Sequence, residues 1–298
     1  MQYSFEVRFR TPRHVADKIE EVFDAAPLKR PLLLYRPEGM NSHDGWLAVK
    51  SSGYADHCEA EASAMRLQEG LLIVAAKRKV GVELYLGGAV KAIHVWPQGS
   101  QLEVRDSGLP LPTSIKIDEL KDMLVLGAAV QSVASLTPNQ RAAAQLLNDS
   151  FFFFRMSSEA SFLLRVSAVE ALCPQAEQTD AFRATVDSVI ASIPKDAPNP
   201  DRKQIKDALD RLAVRQSVRS AYKSKIKQLI GNDKAKEFEA LYGQRSDFLH
   251  DGKGRGTLGD AADAALEIGL ELLLADIALS VRTTAAEQKP TNTGPEVD

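Results

Sequence analysis

Cysteine is nearly absent from this 298-residue chain: Cys58 and Cys173 stand far apart and form no metal-ligand spacing. Both fall in helical patterns, where they read as small core residues. Histidine is sparse as well. His14, His43, His57 and His94 show no His-Glu-x-x-His or comparable spacing, which argues against a metal site. No glycine-rich phosphate loop, internal repeat or Ser-His-Asp arrangement can be read from the spacing, and no cofactor is expected. Long apolar runs are missing too. The longest, Ala261 to Val281, is interrupted by Asp263, Glu267, Glu271 and Asp276, whereas a membrane span needs about 20 mostly apolar residues. The start, Met1-Gln2-Tyr3-Ser4-Phe5-Glu6, has neither a basic n-region nor an apolar h-region, so no signal peptide is expected and a cytoplasmic protein fits.

What is present is an ordinary globular composition, 44% hydrophobic and 26% charged, in a chain long enough for two domains. Tyr3, Phe5, Val7 and Phe9 alternate with Ser4, Glu6 and Arg8, the period of a half-buried strand. Thr11-Pro12 is expected to open a short helix ending near Ala26. Leu32–Tyr35, Trp46–Lys50, Ala92–Trp96 and Gln101–Arg105 read as further strands. Asp56–Lys79 reads as a long helix with Ala60, Ala64, Leu67, Leu71 and Val74 on one face. From Ile117 the pattern is helical only: 118–136, 138–154, a helix capped at Ser157 or Ser158, 179–193, 201–215, 217–230, a helix ending at Gly252, and 260–282. The expectation is an α+β fold, with a mixed α/β domain of unknown role at 1–115, an all-α bundle at 116–282 and a disordered tail at 283–298.

The net charge of −3 conceals an asymmetry. Between Asp201 and Arg255, 14 Lys and Arg stand against 8 Asp and Glu, a surplus of +6 that leaves −9 for the rest. Arg211, Arg215, Arg219, Lys223 and Lys227 recur every four residues, and the last three share one helix face if Ser217 caps a new helix. Such a stripe suits phosphate contacts in RNA. It equally suits a solvated helix surface.

The segment from Leu241 to Gly252, LYGQRSDFLHDG, carries the chemical lead. Ala235, Phe238, Tyr242, Arg245 and Leu249 follow one another at helical spacing, so an arginine occupies a position where an apolar side chain is expected. A buried guanidinium needs an anion. Glu170, on the stripe Leu163, Val166, Glu170, Cys173 of another helix, is the expected partner. The pair serves either chemistry or helix registry. His250 is titratable near neutral pH and sits at the helix end, where the dipole and Asp247 favour its charged form. Five residues on a helix turn through about 140°. Arg245 and His250 therefore reach one ligand only if the last turn opens or a second copy completes the site.

The run Tyr242-x-x-Arg245-Ser246-x-x-x-His250 resembles the R-x4-6-H motif of HEPN domains, in the form found in the Apea-like group. The resemblance covers about residues 135–282 and includes the helix Ser161–Leu172 and the stretch Gln216–Gly231. It implies a homodimer whose motif helices face each other, and metal-independent RNA cleavage, as in antiviral defence or a toxin-like effector. In that reading His250 moves a proton at the ribose or the leaving oxygen, Arg245 stabilises phosphate charge, Glu170 positions Arg245, and Ser246 and Asp247 support the site. Arg219, Lys223 and Lys227 would hold RNA. The alternative is a non-catalytic HEPN module for dimerisation or for nucleotide or RNA binding.

Overall fold

The computed structural model describes residues 2–10, 20–25, 30–36, 46–84, 93–98, 121, 123–124, 135–153, 157–194, 199–252 and 258–287. The expected strand at 101–105, most of the helix at 118–136 and the tail beyond Glu287 lie outside them. The fold is α+β: an N-terminal antiparallel sheet followed by helices. Five strands, β1 (Tyr3–Arg10), β2 (Glu20–Ala25), β3 (Arg30–Tyr35), β4 (Trp46–Tyr54) and β5 (Ile93–Pro97), lie in the order β2-β3-β4-β1-β5. The stretch expected to end a short helix near Ala26 is instead β2, paired with β3 from Glu20↔Tyr35 to Ala25↔Arg30. Ladder hydrogen bonds to a neighbouring strand outweigh a local helical preference.

One sheet face packs on the helix α1 (His57–Lys77), whose N-cap Asp56 accepts from the Glu59 amide. Phe5, Val7 and Phe9 join Leu32, Leu34, Leu47 and Val49, and this layer meets Ala60, Ala64, Leu67 and Leu71 in one core. β1 is not half-buried as its alternation suggests, because Ser4, Glu6 and Arg8 on its other face are buried too. The charges there are paired, although Arg8 Nη1 stays buried without a hydrogen-bond partner among the described residues. The Glu6 carboxylate accepts from Arg8 Nε and from the Tyr35 hydroxyl. Cys58 is a second departure: it is exposed on α1, while Cys173 is buried as expected.

The helical part comprises α2 (Pro138–Phe153), α3 (Ser158–Leu172), α4 (Asp180–Ser192), α5 (Asn199–Val214), α6 (Val218–Leu229), α7 (Asn232–Asp251) and α8 (Gly259–Glu287). Ser157, Thr179 and Ser217 cap α3, α4 and α6 through their hydroxyls, each accepting from the amide three residues on. The centre is α3, packed between α2 and α8. Phe162, Val166 and Val169 on α3 share the core with Leu147 on α2 and with Ala265, Leu266 and Leu273 on α8. α8 runs to Glu287, past the expected end at Arg282, so its last turn falls in what reads as a tail.

Sheet and bundle share that core through α1 and α2. Arg141 on α2 donates from Nε to Glu69 Oε1 on α1 at 2.8 Å, and Glu69 Oε2 accepts from the Leu136 amide at 3.2 Å. The Asn148 side chain bonds both backbone groups of Val82, accepting at 2.7 Å and donating at 2.8 Å. A fully buried carboxamide that closes a two-point bond to the main chain fixes this junction in register.

Candidate functional site

The motif helix α7 is bounded by glycines with positive φ at both ends, Gly231 (φ 105°) and Gly252 (φ 65°). Gly252 takes the left-handed cap expected of it, and its amide donates to the Asp247 and Phe248 carbonyls. Ala235, Phe238 and Leu241 anchor the first part of α7 in the core. The apolar stripe then leaves the core: Tyr242 and Arg245 are half-buried, and Leu249, expected on the buried face, is 50% exposed. The last third of α7 therefore forms surface.

Arg245 meets Glu170 as expected, with Nη2 at 3.4 Å from Oε2 across the α7–α3 contact. Roughly a quarter of each side chain is open to water, at 25% and 22%. The Arg245 guanidinium also lies over the Tyr242 ring, 5.5 Å from its centroid. Tyr242 packs in turn against Tyr222 of α6 at 5.1 Å, and Tyr222 against Phe238 at 5.0 Å. Burial, then the Glu170 charge, pushes the Tyr242 phenol above its ordinary value, with Arg245 opposing. The arginine is thus gripped by an acid and an aromatic face. Its Nε is nevertheless buried without a hydrogen-bond partner among the described residues.

His250 is exposed in the last turn of α7, Ser246 is half-buried and Asp247 is exposed. The helix is continuous through Asp251, so the last turn is closed. Arg245 and His250 consequently point about 140° apart, separated by about 7.5 Å along the axis. Within one copy the structure brings together Arg245, Glu170 and Tyr242, and it does not bring His250 to them.

The basic stripe on α6 is partly neutralised inside the fold. Arg219 and Lys223 both pair with Glu239 of α7, Lys223 Nζ at 2.6 Å from Oε2. Lys227 is exposed. Between them Lys225, which the four-residue spacing passes over, pairs with Asp276 of α8 at 2.7 Å. Arg215, Arg219 and Lys227 are exposed and Lys223 is half-buried, and two of these cations, Arg219 and Lys223, bind α6 to α7.

The most buried charge in the bundle went unread in the sequence. Arg165 on α3 is 1% exposed; its Nε donates to Ser150 Oγ and its Nη1 to Asp263 Oδ1, each at 3.0 Å, and its guanidinium lies over Phe151. Burial lowers its pKa, opposed by Asp263. A lone arginine inside the apolar run Phe162–Val169 was the available signal. Among the described residues no group of three or more His, Cys, Asp or Glu is placed to hold a metal ion, and no helix is long and apolar enough to cross a membrane. No family model matches the chain, and no curated protein or solved structure is similar to it at a significant level.

Proposed function

We propose that the protein is a metal-independent endoribonuclease or RNA-directed effector of the HEPN type, with Arg245 as the phosphate-binding group and His250 as the proton carrier. The supporting observation is the state of Arg245. Glu170 and Tyr242 orient a side chain that remains a quarter open to solvent and keeps a buried donor unanswered, an arrangement that costs about 1–3 kcal/mol if it serves packing alone. An oriented guanidinium beside open solvent suits a phosphate whose negative charge grows in the transition state.

His250 of the same copy points elsewhere, so in this reading a second copy supplies the imidazole and the working unit is a homodimer, formed through the exposed end of α7. The chemistry is a transesterification: the ribose 2′-oxygen attacks phosphorus, loses its proton to a base, and the 5′-oxygen leaves with a proton from an acid. His250 serves in one of those proton transfers. Ser246 and Asp247 follow Arg245 directly on α7 and support the site in this reading.

A second reading has its own support. Glu239 already pairs with both Arg219 and Lys223 and offsets one of their two charges, which weakens the case for a phosphate-tracking surface and favours a non-catalytic module for dimerisation or for nucleotide or RNA binding. Incubation with structured RNA in excess EDTA separates the two. Cleavage that survives chelation and disappears in both Arg245→Ala and His250→Ala supports the nuclease. An intact dimer without cleavage supports the module. Mixing the two inactive variants restores cleavage if Arg245 of one copy works with His250 of the other. A monomeric mass in solution removes the shared site.

A further inference from the structure

The sheet and the bundle enclose a cleft that the RNA-directed reading leaves unused. Arg10 at the end of β1, Gln68 on α1, Glu83, both Asp149 and Phe153 on α2, and Leu164 on α3 border a volume of about 770 Å³. Small-molecule sites run roughly 300–1,000 Å³, mostly apolar with a few convergent polar groups. This cleft has that make-up. Phe152, Phe153 and Leu164 supply apolar wall, and 43% of Phe153 is exposed.

The charges in the cleft are unequal in their satisfaction. Arg10 and Glu83 bond each other, main chain to main chain at 2.8 and 2.7 Å and side chain to side chain at 2.7 Å. Asp149 pairs with no cation among the described residues. It accepts from Gln145 Nε2 at 2.7 Å and from Asn148 Nδ2 at 3.2 Å, and both donors go to Oδ1. Burial holds the Asp149 carboxyl above its ordinary value, against the lowering effect of those two amides. A half-buried carboxylate with one uncommitted oxygen, set beside an aromatic wall, is matched by a flat ring bearing adjacent N–H donors.

We propose that this cleft binds a heterocycle of the guanine type, with the free Oδ2 of Asp149 taking its two neighbouring N–H groups in a forked bond and the ring lying against Phe153. Guanine alone of the common bases presents two adjacent N–H donors on its pairing edge. Its opposite edge offers two acceptors, for which the Gln68 carboxamide at the cleft is a suitable donor. Adenine and cytosine each place an acceptor beside their amino group and would set a lone pair against the carboxylate.

Calorimetric titration of the full chain at neutral pH with guanosine, 1-methylguanosine, adenosine and cytidine tests the proposal. Saturable binding of guanosine alone is expected. Asp149→Asn keeps an oxygen for Gln145 and replaces the other by a competing donor, so affinity falls about 10- to 100-fold. The same variant melts at or above the wild-type temperature, since it removes a carboxylate whose ionised form is disfavoured by burial, and this separates lost binding from lost folding. Equal affinity for adenosine, retention of 1-methylguanosine, undiminished binding by Asp149→Asn, or no saturable heat with guanosine overturns it. The cleft shares no residue with the Arg245 site. Arg245→Ala therefore keeps guanosine binding, and the result stands apart from the nuclease reading.

Discussion

Glu170 and Arg245 meet at 3.4 Å between α3 and α7 with about a quarter of each side chain in water. An ion pair that stays partly solvated adds little net stability, about 1 kcal/mol or less, because water still screens both charges. Arg245→Ala should therefore lower unfolding free energy by about 1 kcal/mol or less in urea melts, with an unchanged slope. A loss of about 3 kcal/mol or more would identify a structural arginine.

Arg165 makes the opposite case. Its guanidinium is almost wholly enclosed, while its partner Asp263 is half open at 49% side-chain exposure. Removing the cation leaves Asp263 without its partner, leaves the Ser150 hydroxyl only its bond to the Leu147 carbonyl, and opens a void under Phe151. Arg165→Ala should cost about 3–5 kcal/mol. Arg165→Met, which keeps most of the volume and needs no anion, should cost less. Chemical denaturation of the two variants side by side checks the order.

Thiol chemistry should divide the two cysteines. Cys58 is exposed, and Cys173 is buried with its thiol pushed up to about 12, chiefly by burial. Only a thiolate alkylates. Iodoacetamide at mildly alkaline pH should label Cys58 in the native protein and Cys173 only after unfolding, read by peptide mass. The linkage has a definite sign. The folded state holds the Cys173 proton more tightly than the unfolded chain, so this contribution to stability is intact below about 9 and is lost as pH rises toward about 12.

The junction tolerates no added methyl at Gly81. A Cβ there would fall 2.9 Å from Phe152 Cε2 and 3.2 Å from Phe151 Cβ. Gly81→Ala should destabilise by about 1–3 kcal/mol through displacement of the Phe152 ring. Near-UV circular dichroism should report the disturbed aromatic packing while the helical signal holds. An unchanged melt would show that the ring swings aside freely.

The helical part was legible because its signals are local. Hydroxyl caps at Ser157, Thr179 and Ser217 and the left-handed Gly252 each act within four residues of themselves. The Glu170–Arg245 pair was legible for a related reason, since two lone charges on apolar stripes need one another. The sheet was less so. β2 is held by a partner strand, and Glu6 is buried because Tyr35 approaches it from two strands away. Such pairings have no signature at the residues themselves. Leu249 misled in the reverse direction: its spacing continues the buried face of α7, but the core ends before the helix does.

Leu164 and Glu170 belong to the same helix, six residues and about 9 Å apart along its axis. One borders the cleft beside the sheet; the other steers the guanidinium on α7. Between them Arg165 ties this helix to Ser150 of α2 and Asp263 of α8, so the cleft wall and the acid ride on one pinned element.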